Sequence, residues 1–274
     1  KLEELPTLLE LIGFAGFAIG VGALVLWAVF GKLIRRPADL ESPMTPLVGV
    51  IGFLSVIGIM IVGDTLAALF FGVPNQDDFE HYHFVSMVGA ILKIAMVCGA
   101  MAILVKRNRG YASSLVPPMP RPHELALPLG YVGWMAMMLG LGFLGYAYVV
   151  FAQDPELLAK QDVADLYSQT TKWQIPSAFI GAVIAAPLVE EVAFRGMLFA
   201  GLRSRMGFWA AAALSSLIFL LVHNPTGNIL FIAPIFGLGM CLAYIYETTR
   251  NIWYGIAFHA AHNAISLSAM GVFG

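Results

Sequence analysis

Eight apolar runs, each about as long as a helix needs to cross a bilayer, leave this chain little choice of fold. They cover about residues 8–30, 46–73, 84–105, 127–151, 175–200, 208–223, 229–246 and 252–272, separated by charged or Pro- and Gly-rich breaks. A helix spans the ~30 Å of hydrocarbon with roughly 17–25 residues, and the runs lack the alternating pattern of outer-membrane strands. Backbone N–H and C=O groups find no water in that layer, so a spanning segment must satisfy them internally. Composition agrees: 59% of residues are hydrophobic and 12% charged, with a mean hydropathy of +0.81, against an apolar share of roughly 45–50% in ordinary soluble domains. The expected fold is all-α, a polytopic membrane protein built as a bundle of about eight transmembrane helices. It forms one membrane domain over residues 1–274, with four N-terminal helices in 1–151 and the helices that carry polar motifs in 175–274.

Charge sorts the connections. Lys32/Arg35/Arg36, Lys106/Arg107/Arg109 with Arg121, Arg203/Arg205, and Arg250 occupy alternate loops, and Asp77/Asp78/Glu80 and Asp154/Glu156/Asp162/Asp165 fall in the others. The positive-inside rule then places both termini outside and the four basic loops in the cytoplasm. A net charge of −2 and short, loop-bound basic clusters exclude nucleic acid as a partner. The lipid bilayer is the obligatory one. Cys98 and Cys241 both lie inside apolar runs, which argues for packing residues over a disulfide. Leu8 to Phe30 is too long for the apolar region of a cleaved signal peptide and has no basic flank before it, so a first membrane helix is expected there. The polar stretch 152–173 reads as an interfacial helix or loop with Trp173 at headgroup level.

Against this background the ionisable residues inside the runs need an explanation. A charge at the bilayer centre costs at least ~2.5 kcal/mol on insertion scales, so such residues are paired, face a cavity, or serve a function. Asp64 and Lys93 sit in neighbouring runs and can pair across helices. Glu190, Glu191 and Arg195 share the run Pro187-Leu-Val-Glu-Glu-Val-Ala-Phe-Arg-Gly196. Glu191 and Arg195 are one helical turn apart and share a face, whereas Glu190 points elsewhere. One carboxylate can be held by the guanidinium while the other is free to take a proton from water and return it. His259 and Asn263 share a face by the same spacing, and two hydrogen-bond donors there suit a developing oxyanion. Counting from a tight turn near residue 206, Glu190 and His223 lie at almost equal depth, ~24 Å, across one helix interface. Counting from Arg250 puts His259 only ~14 Å deep, a mismatch that points to fifth and sixth helices projecting past the membrane into the cytoplasm or to a wrong boundary.

The three motifs Glu-Glu-x-x-x-Arg (Glu190, Glu191, Arg195), Phe-x-x-x-His (Phe219, His223) and His-x-x-x-Asn (His259, Asn263), in that order over residues 175–274, resemble those of the CAAX-protease and bacteriocin-processing family of intramembrane glutamic endopeptidases. The resemblance implies that Glu190 activates a water with His223, that His259 and Asn263 stabilise the oxyanion, and that Glu191, Arg195 and Phe219 support the site. His262 lies outside the pattern and reads as a supporting or packing residue. The implied substrate is a peptide or a prenylated, CAAX-type protein, cleaved near the membrane, and the implied setting is a prokaryotic cell membrane with the site opening toward the cytoplasm. No cofactor is expected. Two other readings of the same residues stay open. Two Glu and two or three His could ligate zinc in a metalloendopeptidase, although no His-Glu-x-x-His is present and Arg195 would compete with a cation. The carboxylates could instead relay protons in a transporter, although broken, repeated helices are not evident.

Overall fold

The computed structural model describes residues 44–74, 77–107, 134, 171–223 and 229–269. They form six helices and, among the described residues, no strand: α1 (Pro46–Phe71), α2 (Phe79–Arg107), α3 (Gln174–Arg203), α4 (Phe208–His223), α5 (Ile229–Thr249) and α6 (Ile252–Ala269). α1, α2 and α3 are long and apolar enough to cross a membrane, and α4 is a shorter apolar helix. The expected runs over 8–30 and 127–151, Trp134 apart, lie outside the described residues, as does the polar stretch before residue 171.

Where the helices begin and end follows local chemistry more than hydropathy. Thr45 caps α1 by accepting the Val48 N–H at 3.3 Å, with Pro46 in the first turn, where a missing N–H costs nothing. α1 ends at Gly72, whose φ of +91° is open to glycine and strained for other residues. α2 starts five residues before the apolar run does, at Phe79, because Asp78 accepts the His81 N–H at 3.1 Å. Lys106 and Arg107 finish it, where cations meet the negative end of the helix dipole. Between α5 and α6, Arg250 adopts φ 52° and Asn251 accepts the Trp253 N–H at 3.0 Å, which turns the chain within two residues.

α3 is the central helix. About 61% of its apolar stretch is buried, against 22% for α1 and for α2, whose outer faces display Leu47, Ile51 and Leu69 on α1 and Ile91 and Ile103 on α2 as a lipid-facing surface would. Every residue from Val192 to Ala200 is buried, packed on Phe219 of α4, Leu242 and Tyr246 of α5 and Ile252 of α6. α3 is wound as π-helix over Phe179–Ala185 and Val192–Phe199, a winding that recurs at functional sites. Wider turns rise less per residue, so a depth count at the α-helical rise overstates how far Glu190 lies from the α3–α4 turn.

α1 meets α3 at backbone contact. A Cβ on Gly49 would stand 2.7 Å from Gly201 Cα and 2.6 Å from the Met197 carbonyl oxygen. Small residues at a membrane helix interface permit this approach. Gly201→Leu is therefore expected to push the two helices apart and to cost at least the ~1–3 kcal/mol of an overpacked core. The check is the yield of monodisperse protein in detergent, which should fall sharply for Gly201→Leu and stay near the parent's for Gly207→Leu, where an added Cβ meets nothing within 4 Å.

Candidate active site

α3, α4 and α6 bring the polar residues of the three motifs into one cluster. Glu190 Oε2 lies 3.3 Å from His223 Nε2 and 3.7 Å from His259 Nε2. The depth mismatch in the sequence count is thereby corrected: His259 reaches the same level as Glu190, and the π-wound stretch of α3 supplies part of the reason. Glu191 is fully buried, and its Oε1 accepts from Arg195 Nη1 at 2.9 Å and from His259 Nδ1 at 3.0 Å. The two neighbouring carboxylates are thus differentiated, Glu191 locked by a guanidinium and an imidazole and Glu190 facing two ring nitrogens.

Each histidine is oriented by its second nitrogen. His223 Nδ1 donates to the Phe219 carbonyl oxygen at 2.8 Å, within its own helix. A carbonyl can only accept, so the proton on a neutral His223 sits at Nδ1 and Nε2 presents a lone pair to Glu190. His259 Nδ1 likewise donates to Glu191, which leaves its Nε2 toward Glu190. Two lone-pair nitrogens facing one carboxylate oxygen are favourable only if a proton is held among the three groups.

The donors expected at an oxyanion are already engaged. His259 uses Nδ1 on Glu191, so donation to a substrate would need a proton on Nε2 as well. Asn263 Nδ2 donates to the Ala182 carbonyl oxygen at 2.8 Å, inside the first π-wound stretch of α3, and keeps one amide hydrogen free of that bond. His262 does not join the cluster; its Nδ1 is buried with no hydrogen-bond partner among the described residues.

Phe219 is the hub beneath these groups. Its ring lies 4.1 Å from that of His223 and 6.0 Å from that of His259, meets Phe194 edge-on at 5.0 Å, and is covered by the Arg195 guanidinium 4.8 Å from its centroid. Arg195 Nη2 also donates to the Gly239 carbonyl oxygen of α5 at 3.2 Å. Two contributors were not found from sequence. Gly239 acts through its backbone, for which no side-chain signal exists. Gly255 leaves room for Glu191, since a Cβ there would stand 2.9 Å from Oε2; its position one turn before His259 on the same face was a usable clue.

Glu191 is occupied by Arg195, and no group of three or more His, Cys, Asp or Glu arranged to hold a metal ion is found among the described residues. Cys98 and Cys241 are both free thiols, Cys98 on an exposed surface.

Residues 172–265 match the family model for Rce1-like proteins, described as type II CAAX prenyl endopeptidase. The chain is also similar to the Bacillus subtilis (strain 168) protein named "Putative membrane peptidase YdiL", with 27% identity over 197 residues covering 70% of this chain and 74% of that protein. No solved structure matches the chain. The matched segment runs from the start of α3 into α6 and contains Glu190, Glu191, Arg195, Phe219, His223, His259 and Asn263. Motifs, family model and relative agree, and residues 172–265 are similar to the Rce1-like CAAX prenyl endopeptidase family.

Proposed function

We propose that this protein is an intramembrane endopeptidase in which Glu190 activates a water for attack on a peptide bond. The observation that carries the reading is the position of Glu190 Oε2 between the Nε2 atoms of His223 and His259, at 3.3 and 3.7 Å. In the reaction Glu190, with His223, takes a proton from water while the water oxygen bonds to the scissile carbonyl carbon. The carbonyl oxygen becomes an oxyanion, stabilised by the Nε2–H of a protonated His259 and by the second amide hydrogen of Asn263. The C–N bond then breaks, and the proton held on the Glu190–His223 pair passes to the leaving amine. Arg195 and Glu191 keep His259 in place throughout.

The substrate is a peptide or a prenylated protein tail, met at the membrane, with the site opening on the side of the basic loops. Peptides ending in a CAAX-type sequence, with and without a prenyl group on the cysteine, test this with the purified protein in lipid nanodiscs. Mass spectrometry of the products should show one internal cleavage. Absence of cleavage of both peptides by a folded sample would overturn the protease reading.

A second measurement separates this chemistry from zinc hydrolysis, where the metal makes the nucleophile and its removal stops the reaction. Cleavage is expected to survive exhaustive chelation with less than about twofold loss, because Glu190 and His223 act on the water directly. Loss on chelation that only added zinc restores would reverse the assignment.

A further inference from the structure

A cavity of about 450 Å³ lies between α1, α2 and the first half of α3, within the ~300–1,000 Å³ range of ligand pockets. It extends from Pro74 and Tyr82, near the α1–α2 connection, to Val189, the residue before Glu190, on the side of the catalytic cluster away from the α3–α4 turn. Its α3 wall is made of small residues, among them Gly181 and Ala182, and it is wound as π-helix there. Its opposite wall holds a pair of charges that the catalytic cluster does not use. Lys93 Nζ stands 2.7 Å from Asp64 Oδ1, and both residues line the cavity.

The fold is shaped around this pair. A Cβ on Gly63 would stand 2.6 Å from Lys93 Cγ, and a Cβ on Gly89 2.7 Å from Asp64 Oδ1, so two glycines at the α1–α2 interface leave the space that the two side chains fill. A bolt that served only to join two helices would be sealed between them. Here the Asp64 side chain is 59% exposed, and Lys93 has two of its three N–H groups left after the bond to Asp64. Ser86 and Tyr82 add hydroxyls to the same lining. The pair is neutral as a whole, so it offers donors and acceptors without selecting a charge.

A peptide presented for cleavage is extended, and each residue then carries an N–H and a C=O that have no partner in hydrocarbon. An apolar wall with a neutral, hydrogen-bonding strip opposite is the lining that such a chain requires. We propose that this cavity is the subsite holding the extended substrate chain next to the scissile bond, with Asp64 and Lys93 hydrogen-bonding to its peptide groups. The assignment rests on the protease reading for the word substrate, and its test does not depend on turnover.

Gly181→Phe adds a ring at the cavity wall, where a Cβ at Gly181 meets nothing within 4 Å. Asp64→Leu with Lys93→Met removes the polar strip, and because both members go together neither charge is left without its partner. Gly99→Phe is the control, an α2 glycine with equal space that does not line the cavity. Binding of a fluorescein-labelled apolar peptide is measured by anisotropy in the inactive Glu190→Gln background, and KM and kcat in the otherwise unmodified chain. Gly181→Phe and the double variant are expected to weaken binding and to raise KM about tenfold with kcat little changed, as for an interaction made equally in ground and transition states. Gly99→Phe should match the parent. If folded Gly181→Phe and the double variant bind the peptide as the parent does, the subsite is overturned while cleavage by the parent still upholds the protease. If the parent cleaves nothing and Gly181→Phe still abolishes binding, the subsite stands and the protease reading falls.

Discussion

Glu190→Gln is expected to yield a protein that folds as the parent does and does not hydrolyse peptide. The amide matches the carboxylate in size and cannot accept the proton of the attacking water. Loss of a general base lowers turnover by about 100- to 10,000-fold. Stability should change little, because the amide can still hydrogen-bond to the His223 and His259 Nε2 atoms that Glu190 Oε2 faces at 3.3 and 3.7 Å. The measurement is single-turnover cleavage beside thermal unfolding in the same detergent. Near-normal turnover in folded Glu190→Gln would remove Glu190 from the role of base and pass it to His223.

The second large effect concerns the pair one residue along. Arg195 and Glu191 are 2% and 0% exposed, so solvent screens neither of them. Arg195→Met strands the Glu191 carboxylate and uncovers the Phe219 ring, and breaking a buried pair from one side costs about 3–5 kcal/mol. Combining it with Glu191→Gln should restore most of that loss, since no charge is left alone. Turnover should not return with it, because the Glu191 carboxylate that holds His259 Nδ1 at 3.0 Å, and so orients its ring toward Glu190, is gone. A double-mutant cycle on stability and on kcat separates the two roles. Recovery of both together would mean that Glu191 serves the fold alone and does not position His259.

The six described helices lie where the apolar runs are because hydropathy over twenty residues is a local property, and a membrane helix satisfies its backbone within itself. The differentiation of Glu191 from Glu190 was legible for a similar reason: a spacing of four residues brings two side chains together in any helix, as it does for Glu191 and Arg195. The α2 boundary was less legible, since Asp78 and not hydropathy sets its start. The level of His259 against Glu190 was not legible, because a count at constant rise assumes α-helix throughout and α3 is π-wound over Phe179–Ala185 and Val192–Phe199.

By itself the sequence determined a helical membrane protein, the family that its C-terminal helices resemble, and which residues could carry chemistry. Only the tertiary structure decided how those residues meet: Glu190 between two imidazoles, Glu191 shared by Arg195 and His259, Asn263 on a carbonyl of α3, and Asp64 with Lys93 facing a cavity. Contacts within a helix follow from chain spacing. Contacts between helices depend on tilt, depth and close approach, which are set by distant glycines and backbone carbonyls that leave no pattern along the chain.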